Sequence, residues 1–67
     1  MNKDVLLGQW RQLKGEVKRQ WGKLTDDDLE EIDGRAETLI GKIQERYGYE
    51  RERARDEFDS FVGRRAS

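Results

Sequence analysis

The chain contains no cysteine, no histidine and no proline. Without cysteine there is no disulfide staple, thiolate nucleophile or thiolate metal ligand. Without histidine the commonest general base and the commonest transition-metal ligand are both missing. The absence of proline suits a chain that is helical almost throughout. Apolar runs are short. None approaches the roughly 18 residues of a membrane span. Near the N-terminus Met1-Asn2-Lys3-Asp4 is followed only by Val5-Leu6-Leu7 before polar residues resume. That run is too short for a signal-peptide core, so the expected location is the cytoplasm. Hydrophobic residues make up only 33% of 67 positions, so the chain is one small domain with a modest core and marginal stability.

Charge is what the chain has in quantity. Charged residues reach 43% with a net charge of -1. The near-zero sum hides a segregation: residues 1–24 carry a balance of +4, residues 25–37 a balance of -6, and the remainder +1. A basic first helix beside an acidic turn can be satisfied within one molecule.

The apolar pattern is helical. Leu6, Trp10, Leu13, Val17, Trp21 and Leu24 recur at steps of three and four, which predicts a helix over 3–21. Asn2 or Asp4 can cap its start, and Gly22 suits a left-handed residue just past its end. Thr25 marks the next start. Its hydroxyl can accept from the Asp28 backbone amide, while Asp26, Asp27 and Asp28 occupy the first turn, where the helix dipole favours anions. This second helix is expected over 26–32, with Gly34 permitting a bend. Ile32, Ala36, Leu39, Ile43 and Tyr47 continue as a third stripe that stops at Gly48. A last helix is expected over 50–61, burying Ala54, Phe58 and either Phe61 or Val62, with residues 62–67 frayed.

Shifted by 26 residues, the chain aligns with itself: Gly8, Gly15 and Gly22 fall on Gly34, Gly41 and Gly48, and the first apolar stripe falls on the third. An internal repeat predicts two αα-hairpins packed into an all-α four-helix domain. Helical period alone accounts for the stripes but not for the glycines. Gly8, Gly15 and Gly41 lie opposite the apolar stripes, where a solvent-facing glycine costs roughly 0.8–1 kcal/mol relative to alanine. Three readings follow: a marginal domain tolerates them, another helix approaches closely, or the helices are built to melt easily.

Candidate chemistry is sparse. The acidic run Asp26–Asp33 invites a calcium reading. An EF-hand loop needs glycine at its sixth position and glutamate at its twelfth. Counted from Asp26 these are Glu31 and Glu37, so the turn-forming glycine is missing, and capping is the better reading. Thr25, Thr38, Ser60 and Ser67 have no evident activating base. Gly22-Lys23-Leu24-Thr25 lacks the upstream glycine of a phosphate-binding loop. No catalytic, cofactor-binding or metal-binding residue is therefore assigned. The one candidate contact surface is Arg11, Lys14 and Lys18, a basic flank beside Trp10 and Trp21 suited to nucleic acid or an anionic membrane. Since both tryptophans share the stripe of Leu13 and Val17, they are expected in the core. The segment Glu50–Glu57 alternates in sign, as a solvent-exposed helix does.

Three segments carry a family resemblance: Trp10-x-x-x-Lys14-Gly15, Trp21-Gly22-Lys23-Leu24-Thr25-Asp26-Asp27-Asp28 and Gly41-Lys42-Ile43-Gln44-Glu45-Arg46-Tyr47-Gly48-Tyr49. In these the chain resembles the CsbD-like family of small bacterial stress-response proteins, from Met1 to about Glu57. The resemblance implies a four-helix domain of two packed hairpins, similar in outline to helix-hairpin-helix domains, and a role in general stress with no catalytic residues to carry over. Its turns hold one glycine each, unlike the Gly-apolar-Gly turn of DNA-binding hairpins. The expected function is a non-enzymatic stress-response protein, a monomer without small-molecule substrate. High glycine, low hydrophobicity and the missing cysteine and proline resemble the hydrophilin type of desiccation protectant. The alternative is a small helical module that binds an anionic partner or a protein helix.

Overall fold

A computed structural model describes residues 9–66, with side chains placed as far as Arg64. Four helices follow in order: α1 Trp10–Gln20, α2 Asp26–Ile32, α3 Ala36–Tyr47 and α4 Arg51–Ala66. Among the described residues there is no strand. The expected start of the first helix, its Asn2 or Asp4 cap, Leu6 and Gly8 lie outside the described residues. The last helix runs to Ala66, beyond the expected end at 61.

The apolar stripes form the core as their spacing requires. Trp10, Leu13, Val17, Trp21 and Leu24 from the first segment meet Leu29 and Ile32 of α2, Ala36, Leu39, Ile40 and Ile43 of α3, and Ala54 and Phe61 of α4. Both tryptophans are buried, which places them in the core. Between Phe61 and Val62 the structure chooses Phe61. Phe58 and Val62 are half-buried against the core edge. The Phe61 ring meets Trp21 at a centroid distance of 5.1 Å, joining α4 to the end of α1.

Close helix packing is between neighbours, α2 on α3 and α3 on α4. α1 makes fewer close backbone approaches and reaches the core through its long side chains. Among the described residues no helix is long and apolar enough to cross a membrane.

The turns separate the two halves that the 26-residue shift aligns. Gly48 closes α3 in the left-handed region, φ 70°, and its N–H donates to the Gln44 carbonyl at 2.8 Å. Gly22 does not do this for α1. The cap there is Trp21, φ -122° and ψ 78°, and the positive-φ glycines among the described residues are Gly34 and Gly48. The expectation of a left-handed Gly22 is therefore corrected. The Trp21 indole is buried at this cap, and the chain reverses through a tight turn in which the Leu24 N–H donates to the Trp21 carbonyl. The structure does not establish the internal repeat. A paired substitution reads this difference. Gly48→Ala places a side chain at positive φ and is expected to cost about 1 kcal/mol, whereas Gly22→Ala meets nothing within 4 Å and is expected to be near neutral. Chemical denaturation of the two variants compares them; equal losses would contradict the assigned turns.

Candidate functional site

Several polar features stand out among the described residues. The first is a buried charge centre between α2 and α3. Thr25 caps α2: its Oγ1 accepts from the Asp28 N–H at 3.0 Å, and Asp28 Oδ2 accepts from the Thr25 N–H at 3.0 Å. This reciprocal pair is a capping box, with aspartate in the position usually held by glutamate or glutamine. The Asp28 side chain is 2% exposed. Arg46 of α3 reaches it with two donors, Nε to Oδ2 at 2.8 Å and Nη2 to Oδ1 at 2.9 Å. Lys42, one turn earlier, lies 3.5 Å from Asp28 Oδ1 and 2.6 Å from Glu31 Oε2, with Glu45 at 3.7 Å.

Electrostatics follow from these bonds. The hydrogen bonds from Arg46 hold the Asp28 carboxyl well below the usual carboxylate range, against the opposing effect of burial, with Thr25 adding to the same side. Lys42 is shifted up, chiefly by its bond to Glu31. A carboxylate kept ionised and bonded on both oxygens has no free lone pair aimed at a substrate. The centre is built as a clamp between two helices.

The second feature is the basic flank of α1. Lys14 Nζ bonds Glu30 Oε1 at 2.8 Å and Lys18 Nζ bonds Asp26 Oδ1 at 2.7 Å. The structure thus sets two of the three flank residues against the acidic helix α2, while Arg11 is exposed. The charge segregation read from the sequence is in this way taken up inside the molecule. Lys18 also holds the exposed Asp26 carboxyl below its ordinary range, first through its hydrogen bond.

The third feature is a shallow cleft between the C-terminal halves of α1 and α4, lined by Glu16, Arg19, Gln20, Phe61 and Arg64. Arg64 Nη2 donates to Gln20 Oε1 at 3.3 Å across it. It carries charges of both signs and no nucleophile beside a base. Beside the α1–α2 corner Tyr47 and Tyr49 stack at 5.4 Å, with Lys23 over the first ring and Arg53 over the second. The Tyr47 hydroxyl accepts from the Lys23 N–H at 3.2 Å. This tethers the α1–α2 corner to the end of α3. Glu37 receives Arg51 and Arg55 from α4.

This arrangement of capped acidic helix, clamp and tyrosine corner covers the same segments, Trp21–Asp28 and Gly41–Tyr49, that carry the family motifs. A CsbD-like family model matches residues 4–56. The chain belongs to the CsbD-like family. Curated relatives cover nearly its whole length. The UPF0337 protein YjbJ of Escherichia coli O6:H1 is 58% identical over 64 residues, 96% of this chain and 93% of that protein. A UPF0337 protein of Pseudomonas aeruginosa is 56% identical over 64 residues, 96% of this chain and 98% of its own. A UPF0337 protein of Pectobacterium atrosepticum is 61% identical over 57 residues, covering 85% and 83%. The names of these relatives state no activity. No solved structure matches this chain.

Within this CsbD-like domain the sequence showed the Thr25 cap and the basic flank, but not the partner of Asp28. Asp28 and Arg46 lie 18 positions apart on different helices. The visible signal was the capping spacing alone, which marks Asp28 but not the cation that approaches it.

Proposed function

We propose that this CsbD-like protein is a non-enzymatic cytoplasmic stress-response protein that works as a hydrophilin-like protectant. It shields other proteins during loss of water through a hydrated, easily loosened helical surface rather than through a dedicated site. The observation that supports this most is the state of its helix glycines. Among the described residues an added Cβ at Gly15 or Gly41 meets nothing within 4 Å, so no described part of the chain requires either glycine by close approach. At these two positions close packing against the described residues is absent, which favours tolerance or deliberate softness there. Softness agrees with a mean hydropathy of -1.17 and a surface on which opposite charges are already paired.

The test is recovery of a drying- or freezing-sensitive enzyme. With the protein added, recovered activity is expected to exceed that with an inert folded protein of equal size and charge. Equal recovery in both samples rejects the protectant reading.

A further inference from the structure

α1 enters the core through Trp10, Leu13 and Val17, but its ends and its polar ties are weaker than those of α2. Its N-cap, Gln9, makes no side-chain capping bond, and its C-cap lacks the left-handed residue that closes α3. The α2 helix next to it has a complete capping box and is clamped to α3 through Asp28 and Arg46. The polar ties of α1 to α2 are two exposed ion pairs, with side-chain exposures of 36% and 71% for Lys14–Glu30 and 46% and 86% for Lys18–Asp26. Exposed pairs of this kind contribute little and are screened by salt. Local opening of a domain begins where the ties are weakest.

One buried group gains from that opening. Trp21 Nε1 is buried without a hydrogen-bond partner among the described residues. A buried unpaired donor is a standing cost in the closed domain. Once free, α1 is a basic amphipathic helix. Trp10, Leu13 and Val17 form one face and continue into Trp21, while Arg11, Lys14 and Lys18 line its edge. Indole rings settle at the membrane interface, where the ring is buried and its N–H finds an acceptor.

We propose that α1 is a releasable membrane-surface helix, held closed by Glu30 and Asp26 and received by an anionic lipid bilayer. Such a bilayer replaces both things α1 leaves behind. Its headgroups stand in for the carboxylates on Lys14 and Lys18, and its interfacial apolar layer takes the tryptophan face. A nucleic acid supplies only the negative charge and leaves the apolar face in water. This inference does not depend on the protectant reading, which concerns other proteins in bulk solution.

The experiment uses the whole chain, low salt, and vesicles of phosphatidylglycerol or phosphatidylcholine, some with brominated acyl chains. Tryptophan emission is expected to be quenched by brominated phosphatidylglycerol and not by brominated phosphatidylcholine. Arg11→Glu, which takes no part in the closing pairs, is expected to weaken binding about twenty-five-fold, two charge units at roughly fivefold each. The double variant Asp26→Asn/Glu30→Gln leaves α1 untouched and is expected to bind more tightly, because release is easier. Circular dichroism in buffer checks that both variants remain helical. Failure to bind phosphatidylglycerol overturns the proposal. So does binding without quenching, which means the flank docks while α1 stays closed, and so does equally strong binding to an RNA duplex.

Discussion

Replacing Asp28 with alanine is expected to lower the thermal midpoint of the domain by more than about 10 °C. Three losses combine. The cap of α2 loses the acceptor for the Thr25 N–H, and the two Arg46 donors lose their acceptor. Lys42 loses one of its three carboxylates. Removing a well-bonded buried carboxylate of this kind costs about 2–4 kcal/mol, and in a domain of this length each kcal/mol moves the midpoint by roughly 4–8 °C. The Arg46 side chain is 39% exposed, so water hydrates the freed guanidinium and keeps the loss from reaching the upper end of what buried pairs show. A melt followed by circular dichroism measures it. A midpoint within a few degrees of the parent would mean that the clamp does not hold α2 to α3.

The same clamp sets an acid limit. In the folded chain the Asp28 carboxyl ionises well below its unfolded value, chiefly through the Arg46 hydrogen bonds. Its stabilising contribution is therefore complete above the ordinary aspartate value of about 3.9. It is lost as pH falls through that value toward the folded one. Stability measured from pH 6 down to pH 3 should fall with a slope that Asp28→Asn reduces. An unchanged slope in the variant would assign acid sensitivity to other carboxylates.

The double substitution Gly15→Ala/Gly41→Ala is expected to stabilise the domain by about 2 kcal/mol. Each glycine lies inside a helix, has open space where a methyl group would go, and is not at positive φ. Alanine there gains roughly 0.8–1 kcal/mol from reduced backbone freedom in the unfolded chain. The two sites are in different helices, so the gains should add. The midpoint should rise by about 10 °C. A fall would show that a methyl group is not tolerated at one of these positions. The variant also separates two readings of function. If loosened helices are what protects other proteins, the stiffer chain protects less at equal concentration. If hydrated charge alone suffices, protection is unchanged.

Much of the fold was legible because local rules carried it. The stripe Trp10–Leu13–Val17 and the stripe Ala36–Leu39–Ile43 fall on buried faces, and Thr25 caps α2 by the bond its spacing allowed. α2 has the predicted bounds, Asp26–Ile32. The reading failed where a short-range signal met a long-range demand. Gly22 and Gly48 occupy matching places in the 26-residue alignment, yet only Gly48 is left-handed. The residue before Gly22 is a buried tryptophan whose ring meets Phe61 at a tilt, and that contact spans 40 positions of chain.

By itself the sequence determined that the chain is helical, where its apolar faces lie, which residues start α2, and that histidine- and cysteine-dependent chemistry is closed to it. It also determined family membership, since Trp21–Asp28 and Gly41–Tyr49 are long contiguous motifs. Only the tertiary structure decided that Arg46 and Lys42 converge on Asp28, that Lys14 and Lys18 are answered by Glu30 and Asp26, and that Gly15 and Gly41 face open space. The physical reason is the range of the interactions. Helix period, capping and dipole complementation act within about four residues, and so can be read along the chain. Ion pairing between helices, and the room around a missing side chain, depend on how the helices pack, which local sequence rules do not specify.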